Sequence, residues 1–322
     1  MPQAFDTTLE LKDGALSGPW RMPRQMLAEQ SYDSHASIHD DATAQKLGFK
    51  GGTIEGPTHF SQFVPLCVGL WGTRWLEQGC ISAHYRNPCY EGEKVRAFVA
   101  TPAEGATQTT IWMQRDDGTE ILRGTASIGE GNAPSALAQR LTELAPLEKA
   151  VILRDIKVGM RTRRIAVRMD MNQKMGDLYP FSLADKLKVI TEPSPWYTET
   201  GAQTAPWKRP AIPLEMISVL CGYAKSADPL PVRGPAVGLF ADQEIRLIKG
   251  PLFANEPYEL DTEVVFLSGS RRTESMWLRT QVYAPGGQEV LASMLLNVAS
   301  LKDSYANYAG EEKTLYGAGA GK

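Results

Sequence analysis

The sequence has 322 residues, of which 43% are hydrophobic and 22% charged, and its formal net charge is −3. This length predicts two domains or one unusually large domain, with a composition typical of soluble globular proteins. The charge provides no basic surface for nucleic acid or an anionic membrane, and no apolar run in the sequence reaches the ~18 residues of a membrane span.

The N-terminus and the cysteines both bear on location. The first residues, MPQAFDTTLELKDG, are polar and acidic, which is unlike a signal peptide. The cysteines, Cys67, Cys80, Cys89 and Cys221, have no CxxC spacing and stand in apolar or strand-like contexts. We interpret them as buried, reduced thiols, which indicates a cytoplasmic protein.

The first half of the chain predicts a helix followed by an antiparallel meander. Residues 24–30 predict one or two helical turns. The Glu55-Gly56-Pro57-Thr58 segment marks a helix start, because proline is favoured just inside a helix N-terminus. Apolar residues at helical spacing continue from Phe60 to Leu70, with a kink expected at Pro65. The strand-like segments ISAHYRNPCY, EKVRAFVATP, TQTTIWMQRD and EILRGTASIG follow, and then a linker with a short helix.

The second half repeats this order. An Ala-Ile-Pro junction precedes an apolar helix predicted from Leu214 to Ala224, and strand-like segments come after it. Thr110–Met113 and Ser275–Leu278 fall at the same place in the two meanders. We interpret the pattern as a pseudo-repeat of about 150 residues. The predicted boundaries are residues 1–130 for the first repeat, 131–150 for the linker, 151–304 for the second repeat and 305–322 for a flexible tail.

A helix and an antiparallel meander, duplicated in tandem, resemble the double hotdog fold, an α+β architecture in which each curved antiparallel sheet wraps a long central helix. Ile38-His39-Asp40-Asp41, Gly48-Phe49, Ile54 and Gly56 resemble motifs of the MaoC family of enoyl-thioester hydratases and dehydratases. RNPCYEGEKV is similar to that family's Pro-x-x-x-Gly-(Asp/Glu) strand. The motifs lie in the first half, so the site is expected there and the second repeat is expected to be non-catalytic.

The resemblance implies an Asp and a His that act together as general base and acid. With His39 in the family's His position, Ser34 takes the position of the Asp. A count back from the Gly-Phe motif instead places Asp33 there, with Ile38 in the His position. Both registers stay open, so His39, Asp33 and Ser34 are all predicted site residues.

The predicted helix start supplies the remaining site residues. The resemblance implies that backbone N–H groups at Gly56 and Thr58 polarise the thioester carbonyl. Glu55 replaces the family's His before the helix glycine. Glu55 and His59 are four residues apart, so their side chains can share one face and supply a second proton transfer.

The predicted function is that of a lyase that adds or removes water at an α,β-unsaturated or 3-hydroxy acyl thioester or a related carbonyl compound. No bound cofactor and no metal ion are expected, because the coenzyme A or carrier-protein thioester belongs to the substrate. The expected partner is this small molecule, with no nucleic acid and no membrane, and a homodimer stays open. A hotdog thioesterase that uses Glu55 is one alternative. A non-catalytic protein that binds an acyl chain or another small molecule is a second.

Overall fold

The computed structural model describes residues 4–32, 35–130, 133–223 and 225–317. Two predicted site residues, Asp33 and Ser34, lie outside the described residues. The strands in chain order are β1 (Glu10–Lys12), β2 (Ala15–Ser17), β3 (Ser31–Tyr32), β4 (His35–Ala36), β5 (Gly79–Tyr85), β6 (Val95–Ala100), β7 (Gln108–Arg115), β8 (Glu120–Ile128), β9 (Ile165–Arg168), β10 (Gly238–Leu247), β11 (Pro257–Gly269), β12 (Thr273–Tyr283) and β13 (Val290–Leu301).

Eleven of these strands form one antiparallel sheet in the order β1-β2-β6-β7-β8-β5-β10-β13-β12-β11-β9. Strands β5 to β8 of the first half and β10 to β13 of the second half occur in mirrored order. The halves join where β5 pairs with β10, from Cys80 opposite Arg246 to His84 opposite Asp242. Strand β6 alternates buried and half-buried residues, as expected when one face of a strand packs on a core.

The helices in chain order are α1 (Asp41–Lys46), α2 (Phe63–Trp71), α3 (Trp75–Gln78), α4 (Ala136–Glu143), α5 (Leu183–Leu187), α6 (Leu214–Gly222) and α7 (Tyr308–Tyr316). A 3-10 helix, Gly56–Gln62, leads directly into α2. The predicted single helix with a kink is therefore two helical segments. Pro65 lies in the first turn of α2, where its missing N–H costs little.

The two central helices, α2 and α6, share one hydrophobic core with the sheet. Five side chains show how tightly this core is closed. Phe60, Phe63 and Leu66 are fully buried. From α6, Leu220 is fully buried and Met216 is 1% exposed. Removing a buried phenylalanine from such a core costs about 3–5 kcal/mol. The predicted cysteine state is confirmed, because all the cysteines are buried free thiols.

Two segments differ from the sequence prediction. Residues 24–30 contain no helix, because Gln25 uses its side-chain amide for hydrogen bonds to the Thr53 carbonyl and the Leu27 N–H, both at 2.7 Å. Residues 308–316, within the predicted flexible tail, form α7. The Tyr308 hydroxyl donates to the buried Glu274 carboxylate at 2.9 Å, which ties this helix to the second half.

Within the described ranges, no helix is long and apolar enough to cross a membrane.

Candidate active site

A cavity of about 390 Å³ opens beside the start of the 3-10 helix. Both halves of the chain form its wall. The first half contributes His39, residues 53–56, His59 and residues 85–89, and the second half contributes Tyr179, Lys225 and residues 238–241. The pairing of β5 with β10 brings the two halves together at this point. The cavity is therefore built across the junction of the two halves, not within the first half alone.

His39 lies in the turn before α1, and its ring is held by Thr53. Nδ1 donates to the Thr53 carbonyl at 2.7 Å. Asp40 is turned away, because it caps α1 and accepts from the Thr43 N–H at 2.8 Å. Burial lowers the pKa of His39 to about 4. At neutral pH the imidazole is therefore neutral, and the proton on Nδ1 leaves the lone pair on Nε2.

Glu55 precedes the 3-10 helix and is only 7% exposed. Its carboxyl group makes no capping hydrogen bond, and Oε1 is buried with no partner among the described residues. Burial raises the pKa of Glu55 to about 7, against the opposing effect of Lys186 and with a further increase from Glu215. Both protonation states are thus accessible near neutral pH, as a proton-transfer group requires.

His59 follows on the 3-10 helix and is 2% exposed. In the described part of the chain, its Nδ1 atom has no hydrogen-bond partner. Burial, and then the charge of Lys186, lower the pKa of His59 to about 4. The cavity wall therefore carries two neutral imidazoles and one carboxyl group whose proton is easily exchanged.

Gly56 is required by a close contact with Tyr85. A Cβ atom at position 56 would lie 2.6 Å from the Tyr85 ring, which is far inside van der Waals contact. The Tyr85 hydroxyl donates to Oε1 of Gln243 at 2.9 Å, which fixes the ring from the second half. Among the described residues, no group accepts a hydrogen bond from the Gly56 N–H. That N–H lies at the start of a helix, where unpaired N–H groups stabilise a developing negative charge.

Thr58 lies behind the cavity wall, in a buried polar network. Its N–H donates to the Glu55 carbonyl at 3.1 Å, and its hydroxyl accepts from Lys186 Nζ at 2.9 Å. Lys186 also pairs with Glu215 at 2.7 Å, and both side chains are 2% exposed. The Ser61 hydroxyl donates to the same carboxylate at 2.6 Å. This network joins the start of the first central helix to α5 and α6.

The structure brings four of the predicted site residues, His39, Glu55, Gly56 and His59, to one cavity. The sequence prediction missed Tyr85, Lys186 and Lys225. A weak signal for Lys186 exists, because it lies three residues after the buried Leu183 on a helix. For Lys225 the sequence carries no such signal. In the residues that the structure describes, no group of three or more His, Cys, Asp or Glu side chains could hold a metal ion.

Comparison with solved structures defines the fold. A MaoC domain protein from Chloroflexus aurantiacus, described as a dehydratase, matches with a TM-score of 0.55 and 12% identity, over 93% of this chain and 95% of that one. The chain thus has the hotdog fold. The resemblance to MaoC proteins noted in the sequence is confirmed at the level of this fold.

Two further structures are similar more weakly. The dehydratase domain of PpsC from Mycobacterium tuberculosis, in complex with C12:1-CoA, has a TM-score of 0.48 and 10% identity, over 92% of this chain and 98% of that one. The acyl-CoA thioesterase II TesB2 from Mycobacterium marinum has a TM-score of 0.44 and 12% identity, over 91% and 94%. These similarities are too low to bear on function. No protein-family model and no curated protein matches the sequence.

Proposed function

We propose that this protein is a hotdog enzyme that adds water to an α,β-unsaturated acyl thioester, or removes it from the 3-hydroxy form. The observation that carries the proposal is the joint placement of His39 and Glu55 on one cavity wall. One group is a neutral base with a fixed tautomer, and the other is a buried acid with a pKa of about 7. Hydration of a polarised double bond needs this combination of a base for water and an acid for carbon.

In the proposed reaction, His39 Nε2 accepts a proton from water while the water oxygen bonds to the β-carbon. The protonated Glu55 carboxyl donates its proton to the α-carbon. The Gly56 N–H would donate to the carbonyl oxygen, where negative charge develops between these events. The proton then passes from His39 to the Glu55 carboxylate through water, which restores both groups. No electrons leave the substrate, so the reaction needs no oxidant or reductant.

The remaining predicted residues take supporting roles in this proposal. Asp33 or Ser34, which precede His39 in the chain, would position the attacking water. His59 lies on the Glu55 side of the cavity and would relay the proton between Glu55 and solvent. We further propose that the chain is a tandem pair of hotdog repeats, supported by the mirrored strand order and by the two central helices. Coenzyme A or a carrier-protein arm would enter with the substrate.

Hydration of crotonyl-CoA and longer enoyl-CoA substrates, followed as loss of the enoyl absorbance, tests the proposal. We expect His39→Gln and Glu55→Gln each to lower kcat by about 10²–10⁴. His84→Gln is the matched control, because His84 is half-exposed, pairs with Asp242 and does not line the cavity. Full activity in His39→Gln, with circular dichroism unchanged, would overturn the assignment of His39 as the base.

Thioester hydrolysis is the second candidate, favoured by Glu55 Oε1, which lies at the cavity and has no hydrogen-bond partner in the described part of the chain. A carboxylate there could activate water toward the thioester carbonyl instead of the β-carbon. The same variants discriminate the two reactions when release of free thiol is measured beside the enoyl absorbance. Thiol release that is lost in Glu55→Gln but kept in His39→Gln would favour hydrolysis. Ligand binding without either reaction would favour a non-catalytic acyl-binding protein.

A further inference from the structure

Lys225 is a cation in the cavity wall that the proposed reaction does not use. It begins the 3-10 turn Lys225–Ala227, after α6 of the second half. Its side chain is partly buried and lines the cavity. Among the residues that the structure describes, no carboxylate lies within ion-pair distance of its ammonium group, and no acceptor is hydrogen-bonded to it. The other lysine of this region, Lys186, is by contrast paired with Glu215 at 2.7 Å.

Lys225 and Glu55 line the same cavity. The charges that act on the Glu55 carboxyl come from Lys186 and Glu215, behind the start of the 3-10 helix. Burial lowers the pKa of the Lys225 ammonium group, and Cys221 on α6 acts in the opposite direction. The wall next to Lys225 includes Tyr179, whose hydroxyl packs against Gly222 of α6. A ligand that fills this cavity with its reacting carbons at Glu55 can therefore also contact Lys225.

A cation enclosed by a largely apolar wall is unfavourable unless an anion joins it. The cavity offers the substrate no other free cation in the described residues, because Arg86, which also lines it, is already paired with Glu120. An ammonium group is a compact charge with three donors, which suits a single carboxylate. Resting on the proposed function, we propose that Lys225 binds a carboxylate at the far end of the acyl group. The substrate class is then the mono-thioester of an unsaturated or 3-hydroxy dicarboxylic acid.

The specificity test compares substrates that differ only in this charge. Hydration of a 2-enoyl mono-thioester ending in a carboxylate is measured beside the enoyl thioester of equal length ending in a methyl group. We expect wild type to favour the carboxylate form by about 10- to 100-fold in kcat/KM, because the methyl form leaves the partly buried Lys225 cation without an anion. Lys225→Met should remove this preference and Lys225→Arg should keep most of it. Lys188→Met, at an exposed lysine paired with Asp185, is the control.

A second arm distinguishes the acyl carboxylate from the phosphates of coenzyme A as the anion. Each comparison is repeated with N-acetylcysteamine thioesters, which carry no phosphate. The proposal is supported if wild type still favours the carboxylate-ended acyl group in these short thioesters and Lys225→Met does not. If Lys225→Met instead removes only the preference for coenzyme A over N-acetylcysteamine, the anion is a phosphate and the proposal is wrong.

A binding measurement separates this inference from the proposed reaction. Adipate and hexanoate are titrated by calorimetry into wild type, Lys225→Met and Lys188→Met. Tighter binding of adipate by at least about tenfold, lost only in Lys225→Met, supports the Lys225 site even if no enoyl thioester is hydrated. Equal binding of the two acids, together with hydration that is indifferent to the terminal charge, would refute the site while leaving the hydratase proposal intact.

Discussion

The Glu55 carboxyl should make the stability of the protein depend on pH in a way that one substitution removes. The unfolded chain holds this carboxyl at a pKa of about 4.3, whereas burial raises the pKa in the folded protein to about 7. The folded state therefore binds the proton more tightly, and stability is lost as pH rises from about 4 to about 7. Summed from pH 5 to pH 8, the loss is about 2–3 kcal/mol.

Glu55→Gln removes the titration, so its free energy of unfolding relative to wild type should increase by about 2–3 kcal/mol between pH 5 and pH 8. Most of this increase should occur below pH 7. His39 and His59 have pKa values of about 4 in the folded protein, so they lower the free energy of unfolding of the protein as pH falls below about 6.5. This effect of the histidines is the same in wild type and in Glu55→Gln. The difference in free energy of unfolding between the two proteins therefore reports on Glu55 alone.

The assay is urea unfolding of wild type and Glu55→Gln at pH 5, 6, 7 and 8. Glu104→Gln, at an exposed loop carboxylate, is the matched control. A difference for Glu55→Gln that changes by less than about 1 kcal/mol across this range would refute the raised pKa. The role of Glu55 as an acid near neutral pH would then lose its basis.

Three further perturbations test the structure around the site. Lys186→Met leaves the buried Glu215 carboxylate without its cation and should lower the free energy of unfolding by about 3–5 kcal/mol. The double variant with Glu215→Leu should recover most of this loss, and equal urea midpoints for the single and double variants would contradict the prediction. Gly56→Ala places a Cβ 2.6 Å from the Tyr85 ring and should lower the free energy of unfolding by about 1–3 kcal/mol. Adding Tyr85→Leu should restore part of this stability, and thermal unfolding measures both variants. Deleting the chain from residue 305 onward removes α7 and should cost about 1–3 kcal/mol without abolishing folding, so a deletion as stable as the full chain would show that α7 contributes nothing.

The local pattern of the sequence determined most of the regular structure. β-Branched and aromatic residues in EKVRAFVATP predicted β6, and the apolar segment after Pro213 predicted α6, because these residue types favour buried strands and helices locally. Proline in the Glu55–Thr58 segment predicted a helix start, which the structure has as a 3-10 helix. The motifs around His39 and Gly56 led to the hotdog fold for the same reason, since they are local in the chain.

The tertiary structure alone decided which charges are buried and which residues face the cavity. Lys225 and Tyr85 carry no local mark of their positions, and Lys186 carries only a weak one, because burial of a polar side chain depends on groups that are distant in sequence. The pairing of β5 with β10 places second-half residues in the wall of a cavity that the sequence assigned to the first half. The raised pKa of Glu55 and the lowered pKa of His39 follow from that enclosure, since desolvation disfavours charge only after the chain has closed around them.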